Sequence, residues 1–171
     1  MNVRETSLLT LAGSALLLGV AVYVFGRPPG SAWFLPAAWS LAGSAHRFGS
    51  VAGQLPEFLH VFAFSLLTAA VLPATRRAAW VSCAAWWLID SLFELGQHPK
   101  LSPMLAATTS GLKDIPLLCN TPAYFTRGVF DPLDLLAIAV GALAAAACIG
   151  SIHSLHDKKK DTQSCVQARS S

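Results

Sequence analysis

The chain has 171 residues and a formal net charge of +3, with 54% hydrophobic and only 12% charged residues. A soluble domain carries about 25% charged residues, so this composition argues against a soluble enzyme, a disordered regulator and a nucleic-acid-binding domain. The apolar residues fall in long blocks, which is the pattern of one small all-α integral membrane domain.

The first block gives a helix near 7–26 and carries no charge from Leu8 to Phe25. A signal peptide has an apolar region of only ~7–15 residues followed by a small-x-small site. This block is longer and has no such site before Arg27, so it reads as a retained transmembrane helix. Arg27-Pro28-Pro29-Gly30 ends it. Residues 27 to 54 then form a long loop. Its Trp33, Phe34, Leu35, Trp39 and Leu41 suit the membrane interface. A second helix is expected near 55–73, opening at Leu55-Pro56-Glu57, and a third near 78–97. Residues 97 to 130 form a second long loop, punctuated by Pro99, Pro103, Gly111, Pro116, Pro122 and Gly128. It is too long to lack structure, and a short interfacial helix is expected near Met104 to Thr109. Asp131-Pro132 opens a fourth helix near 131–150, and residues 151–171 read as a polar, basic, disordered tail.

These blocks predict a four-helix transmembrane bundle over residues 1–150. With four spans, the N-terminus, the Arg76-Arg77 turn and the tail share one side. That side holds seven basic residues: Arg4, Arg76, Arg77, Lys158, Lys159, Lys160 and Arg169. The other side holds five, namely Arg27, Arg47, Lys100, Lys113 and Arg127, spread over much longer loops. Both termini are therefore expected to be cytoplasmic. The four cysteines show no Cys-x-x-Cys or other metal spacing. No metal or cofactor is implied.

The polar residues inside the apolar blocks carry the functional signal. Glu57 and His60 stand three apart, Asp90, Glu94 and Gln97 run at i, i+4 and i+7, and Asp131 and Asp134 stand three apart. Each pattern puts its members on one helix face, and the expected topology brings all of them to the same outward end, with Arg127 at that level. Asp90 would lie ~10 Å below Gln97 along its helix. Carboxylates at such depth are costly facing lipid, so the stripes are expected to face one another around a small wet pocket. Each residue also has a structural reading. Asp131 before Pro132 suits an N-cap, while Asp134 and Glu57 suit helix first turns. His60 suits a hydrogen-bonded core position, and Arg127 suits a pair with Asp131. Asp90 and Glu94 lie at the wrong helix end for the dipole and have no capping role.

Three segments together resemble the VanZ-like family of small bacterial membrane proteins. Leu55-Pro56-Glu57-Phe58-Leu59-His60-Val61-Phe62-Ala63-Phe64 resembles the family's charged-pair helix opening, although Pro56 stands where the family has a lysine. Glu94-Leu95-Gly96-Gln97 resembles its Glu-x-x-Gln element. Arg127 to Gly141 resembles its Arg…Asp…Gly element, although Ile138 replaces an asparagine. The resemblance spans roughly residues 55–150. It implies a multi-pass protein of the bacterial cytoplasmic membrane with site residues His60, Glu94, Gln97, Arg127 and Asp134.

Three functions follow as expectations. The first is an outward pocket of Glu57, His60, Asp90, Glu94, Gln97, Arg127, Asp131 and Asp134 that binds or processes an outer-leaflet lipid or lipid-linked envelope precursor. In it, Arg127 would hold a phosphate and the acids with His60 would do acid–base work. The second is a non-enzymatic accessory factor in the envelope or the glycopeptide-antibiotic response, working with a membrane protein partner. The lack of any nucleophile-plus-base, His-Glu-x-x-His or phosphate-loop motif leans this way. The third is a small proton-coupled transporter. The small residues from Gly141 to Ala145 offer a helix-packing face.

Overall fold

The structure is a computed structural model and describes residues 3–26, 37–41, 51–115 and 118–170. Among the described residues the secondary structure is entirely helical. Four long helices are α1 (Val3–Gly26), α2 (Val51–Val71), α3 (Arg76–Gly96) and α6 (Pro132–Ser170). Two short ones, α4 (Ser102–Thr109) and α5 (Thr121–Arg127), lie between α3 and α6.

Among the described residues, three segments are long and apolar enough to cross a membrane: Val3–Gly26, Gly53–Val71 and Pro132–Leu155. The second long loop folds largely as its length demands. Its α4 coincides with the helix expected near Met104 to Thr109, and Pro103 sits in the first turn where its missing N–H costs nothing. The aromatic stretch Trp33, Phe34 and Leu35 lies outside the described residues, whereas Trp39 and Leu41 are exposed.

Three boundaries differ from expectation. Helix α1 starts at Val3, not near residue 7, so Arg4 lies within it. Helix α2 starts at Val51, not Leu55, and takes Pro56 inside it. Glu57 therefore lies in the second turn, beyond the capping positions, and its first-turn reading is withdrawn. Helix α6 does not end at Gly150, and the expected disordered tail is helical as far as Ser170. Residues 151–170 contain neither proline nor glycine, so nothing in the backbone stops the helix once the apolar part has nucleated it.

Helix α2 is the central element, packed against α1 on one side and against α6 and α3 on the other. The main core draws Leu8 and Ala12 from α1, Leu66, Ala69 and Ala70 from α2, Cys83 from α3, and Ala145 and Ile149 from α6. Many of these side chains are small, which lets backbones approach. One close approach is at Gly141, where an added Cβ would stand 2.6 Å from the Phe58 carbonyl oxygen. The small residues from Gly141 to Ala145 thus serve the α2–α6 seam within the chain.

Helix α3 inverts the usual burial pattern. Its buried residues are Ser82, Cys83, Asp90, Glu94 and Gly96, while Trp80, Val81, Trp87, Leu88, Ile89, Leu92 and Phe93 are exposed. Water-facing helices do the reverse. Three hydrogen bonds tie the polar side of α3 to α2. Ser82 Oγ donates to the Ser65 carbonyl at 2.8 Å, Trp86 Nε1 donates to Thr68 Oγ1 at 2.8 Å, and His60 pairs with Asp90.

Candidate functional site

The polar stripes of α2, α3 and the start of α6 meet at one end of the bundle. Their register is set by the antiparallel α2–α3 pair and by the close α2–α6 approach at Phe58, the residue after Glu57. His60 Nδ1 and Asp90 Oδ2 are 2.6 Å apart and share a proton. Asp90 is 6% exposed and His60 is 45% exposed. His60 packs edge-on against Phe64 at 4.5 Å and Trp86 at 6.0 Å between ring centroids. Phe64 and Trp86 are themselves 4.7 Å apart. The imidazole is thus backed by a buried carboxylate and framed by two aromatic rings. Its Nε2 makes no hydrogen bond among the described residues.

Glu94, 4% exposed, works differently. Its Oε1 accepts the backbone N–H of Asp131 at 2.8 Å, and its Oε2 accepts from Gln97 Nε2 at 3.2 Å. It therefore joins the end of α3 to the start of α6. Asp131 is the N-cap of α6: its Oδ1 accepts the Leu133 N–H at 2.9 Å, and Pro132 occupies the first helical position. Its Oδ2 accepts from Gln54 Nε2 of α2 at 3.1 Å. Gln97 Nε2 also donates to the Tyr124 hydroxyl at 2.7 Å, which brings α5 onto the cluster. Gly128, at the C-cap of α5, leaves the room that the Gln97 side chain occupies. Glu57 lies within electrostatic reach of Asp134, Asp90, His60 and Glu94, so the acids of all three helices form one charged neighbourhood.

Seven of the eight residues singled out from the sequence are brought together here: Glu57, His60, Asp90, Glu94, Gln97, Asp131 and Asp134. Arg127 is not. It is exposed in the last turn of α5 and makes no ion pair with Asp131 or any other acid among the described residues. The reason is local: Asp131 is already satisfied by its own helix and Gln54, and the C-cap at Gly128 turns the chain away. His98 also stands apart, stacked edge-on against Phe130 at 5.2 Å. Gln54, Trp86 and Tyr124 were not anticipated. Gln54 stands three residues before Glu57 and six before His60, so the correct helix start would have revealed it. Tyr124 sits on a short proline-led helix that no periodicity announces.

Tyr124 lies outside the long helices, on α5. Burial pushes its phenol up, and the Glu57 and Glu94 carboxylates add to this.

Chemically, Glu94 and Asp131 are acceptors held by backbone and amide donors, and the His60–Asp90 pair is able to move a proton. Comparison with family models, with curated proteins and with solved structures finds no match for the chain.

Proposed function

We propose that the chain is a four-span integral membrane protein of the VanZ-like type, with both termini cytoplasmic. Its acidic cluster binds or processes an outer-leaflet lipid or lipid-linked envelope precursor. The fourth span is α3. Its 21 residues reach roughly 30 Å, about the hydrocarbon thickness, and its apolar outside and polar inside suit lipid surroundings. The basic residues around Arg4, Arg76 and Arg77 favour the cytoplasm at the opposite end from the cluster.

The observation that carries the reading is the His60–Asp90 pair: a buried carboxylate orients an accessible imidazole in an aromatic notch. An imidazole so oriented takes or gives a proton through its other nitrogen. Arg127 is absent from the cluster and gives it no phosphate grip. Among the described residues the carboxylates gather without lysine or arginine, which favours hydroxyl or ammonium donors of a lipid headgroup. The direct test uses purified protein in nanodiscs, incubated with envelope lipid extract and read by mass spectrometry for retained or converted species. Wild type should retain or convert a species that His60→Ala and Asp90→Asn do not. Equal retention and conversion by all three proteins would overturn the reading.

A second reading has its own observation. The bonds from Asp131 N–H, Gln97 and Gln54 make Glu94 and Asp131 structural latches, which suits a non-enzymatic accessory factor. It predicts no conversion of any precursor and a membrane protein that co-purifies with wild type but not with Glu94→Gln.

A further inference from the structure

A second polar feature lies at the other end of the bundle. Arg4, near the start of α1, is 4% exposed. Its Nε donates to His153 Nε2 of α6 at 2.7 Å, and its guanidinium donates to the Ala69 carbonyl of α2 at 2.7 Å. Beside His153 is a cavity of about 140 Å³ lined by Arg76, Ala79 and Trp80 of α3 and by Ala146, Gly150 and His153 of α6. That volume is close to the ~150 Å³ that accommodates a benzene-sized guest, and it is ample for a phosphodiester.

The lining is basic and aromatic and contains no carboxylate. Arg76 makes no ion pair among the described residues. It is the first residue of α3, where the helix end adds partial positive charge. Trp80, one turn further in, is 54% exposed, and an indole at this depth suits the headgroup level of a bilayer. Gly150 presents open space where a side chain would stand. Asp134 and His153 lie on the same helix, roughly 28 Å apart along its axis. The cavity and the acidic cluster therefore sit at opposite interfaces of a bilayer about 30 Å thick.

We propose that this cavity binds the phosphodiester of an anionic phospholipid in the leaflet opposite the acidic cluster. Arg76 is the direct phosphate ligand, Trp80 lies beside the glycerol region, and Arg4 holds His153 as the far wall. A basic pocket between spans recognises such headgroups through charge and hydrogen bonds together. The proposal rests on the chain spanning a membrane and is independent of what the acidic cluster does.

The test is thermal unfolding of the full chain in neutral detergent micelles, with phosphatidylglycerol, phosphatidylcholine or lipid-free sodium phosphate added. Phosphatidylglycerol should raise Tm by about 4 °C or more, and the other two should leave it unchanged. Arg76→Gln should lose at least half of that rise, whereas Arg77→Gln, a neighbouring exposed arginine outside the cavity, should keep it. Equal losses in both variants would reduce the effect to diffuse surface charge and overturn the site. An equal rise with sodium phosphate would make it a free-anion site, and an equal rise with phosphatidylcholine would remove headgroup selectivity. Either result would overturn the lipid assignment.

Discussion

At one end of the bundle, α2, α3 and the start of α6 gather Glu57, His60, Asp90, Glu94, Asp131 and Asp134. At the other end, Arg76 of α3 and His153 of α6 line a cavity with no acid in its wall, and Arg4 of α1 ties His153 to the Ala69 carbonyl of α2. Helix α3 runs between them with its charges set against its own dipole: Arg76 and Arg77 are in its first turn, and Asp90 and Glu94 are near its last. Local helix stabilisation would place these charges the other way round. Their positions answer to tertiary partners instead. At the acidic end these are the Asp131 N–H, Gln97 and His60, and at the basic end the lipid headgroup proposed above. The two ends also differ in how they are held. The acidic end is latched by short side chains and a helix cap, whereas the basic end depends on one long arginine reaching two other helices.

That contrast is open to attack by substitution. The largest effect is expected at Gly141, which both ends depend on for the α2–α6 approach. Gly141→Leu would drive a side chain into the Phe58 backbone and cost about 3 kcal/mol or more, seen as loss of a cooperative unfolding transition in detergent. Next comes Arg4→Ala, which removes the hydrogen bonds to His153 Nε2 and the Ala69 carbonyl and should cost about 2 kcal/mol in chemical denaturation. Asp90→Ala should cost less, about 1 kcal/mol, because His60 is 45% exposed and can find other partners. A larger loss at Asp90 than at Arg4 would reverse the comparison.

The smallest effect is expected at Tyr124. Tyr124→Phe removes one of two acceptors for Gln97 and should cost about 0.5 kcal/mol. Burial raises the phenol in the folded chain above its ordinary value of 10.0. Its contribution to stability is therefore complete below that value and declines as pH rises past it, because the unfolded phenol ionises first. The unfolding midpoint of wild type should fall above pH 10, and Tyr124→Phe should flatten that fall.

Much of this was readable in the residues. Spacing alone placed Asp90, Glu94 and Gln97 on one face, and length alone required a helix within the second loop. The Asp131-Pro132 cap was legible because capping is local chemistry. What escaped was non-local or ambiguous. Pro56 looked like a helix start because proline favours first turns, yet the helix begins five residues earlier. Arg127 looked like a partner for Asp131 because sequence proximity says nothing about which way a C-cap turns. Arg4 read only as a topology charge, since nothing in its neighbours reveals that it reaches His153 across the bundle. Fold class follows from hydrophobic blocks, whereas the pairing within a polar cluster follows from helix boundaries, which the sequence specifies least sharply.

Helix α6 runs unbroken from Pro132 to Ser170. Beyond Leu155, where the apolar stretch ends, fifteen further residues extend it by roughly 22 Å. A rod of that kind cannot absorb motion along its length. A tilt imposed near Asp131 therefore swings its distant tip through an amplified arc, and a displacement at the acidic end is carried the full length of the helix.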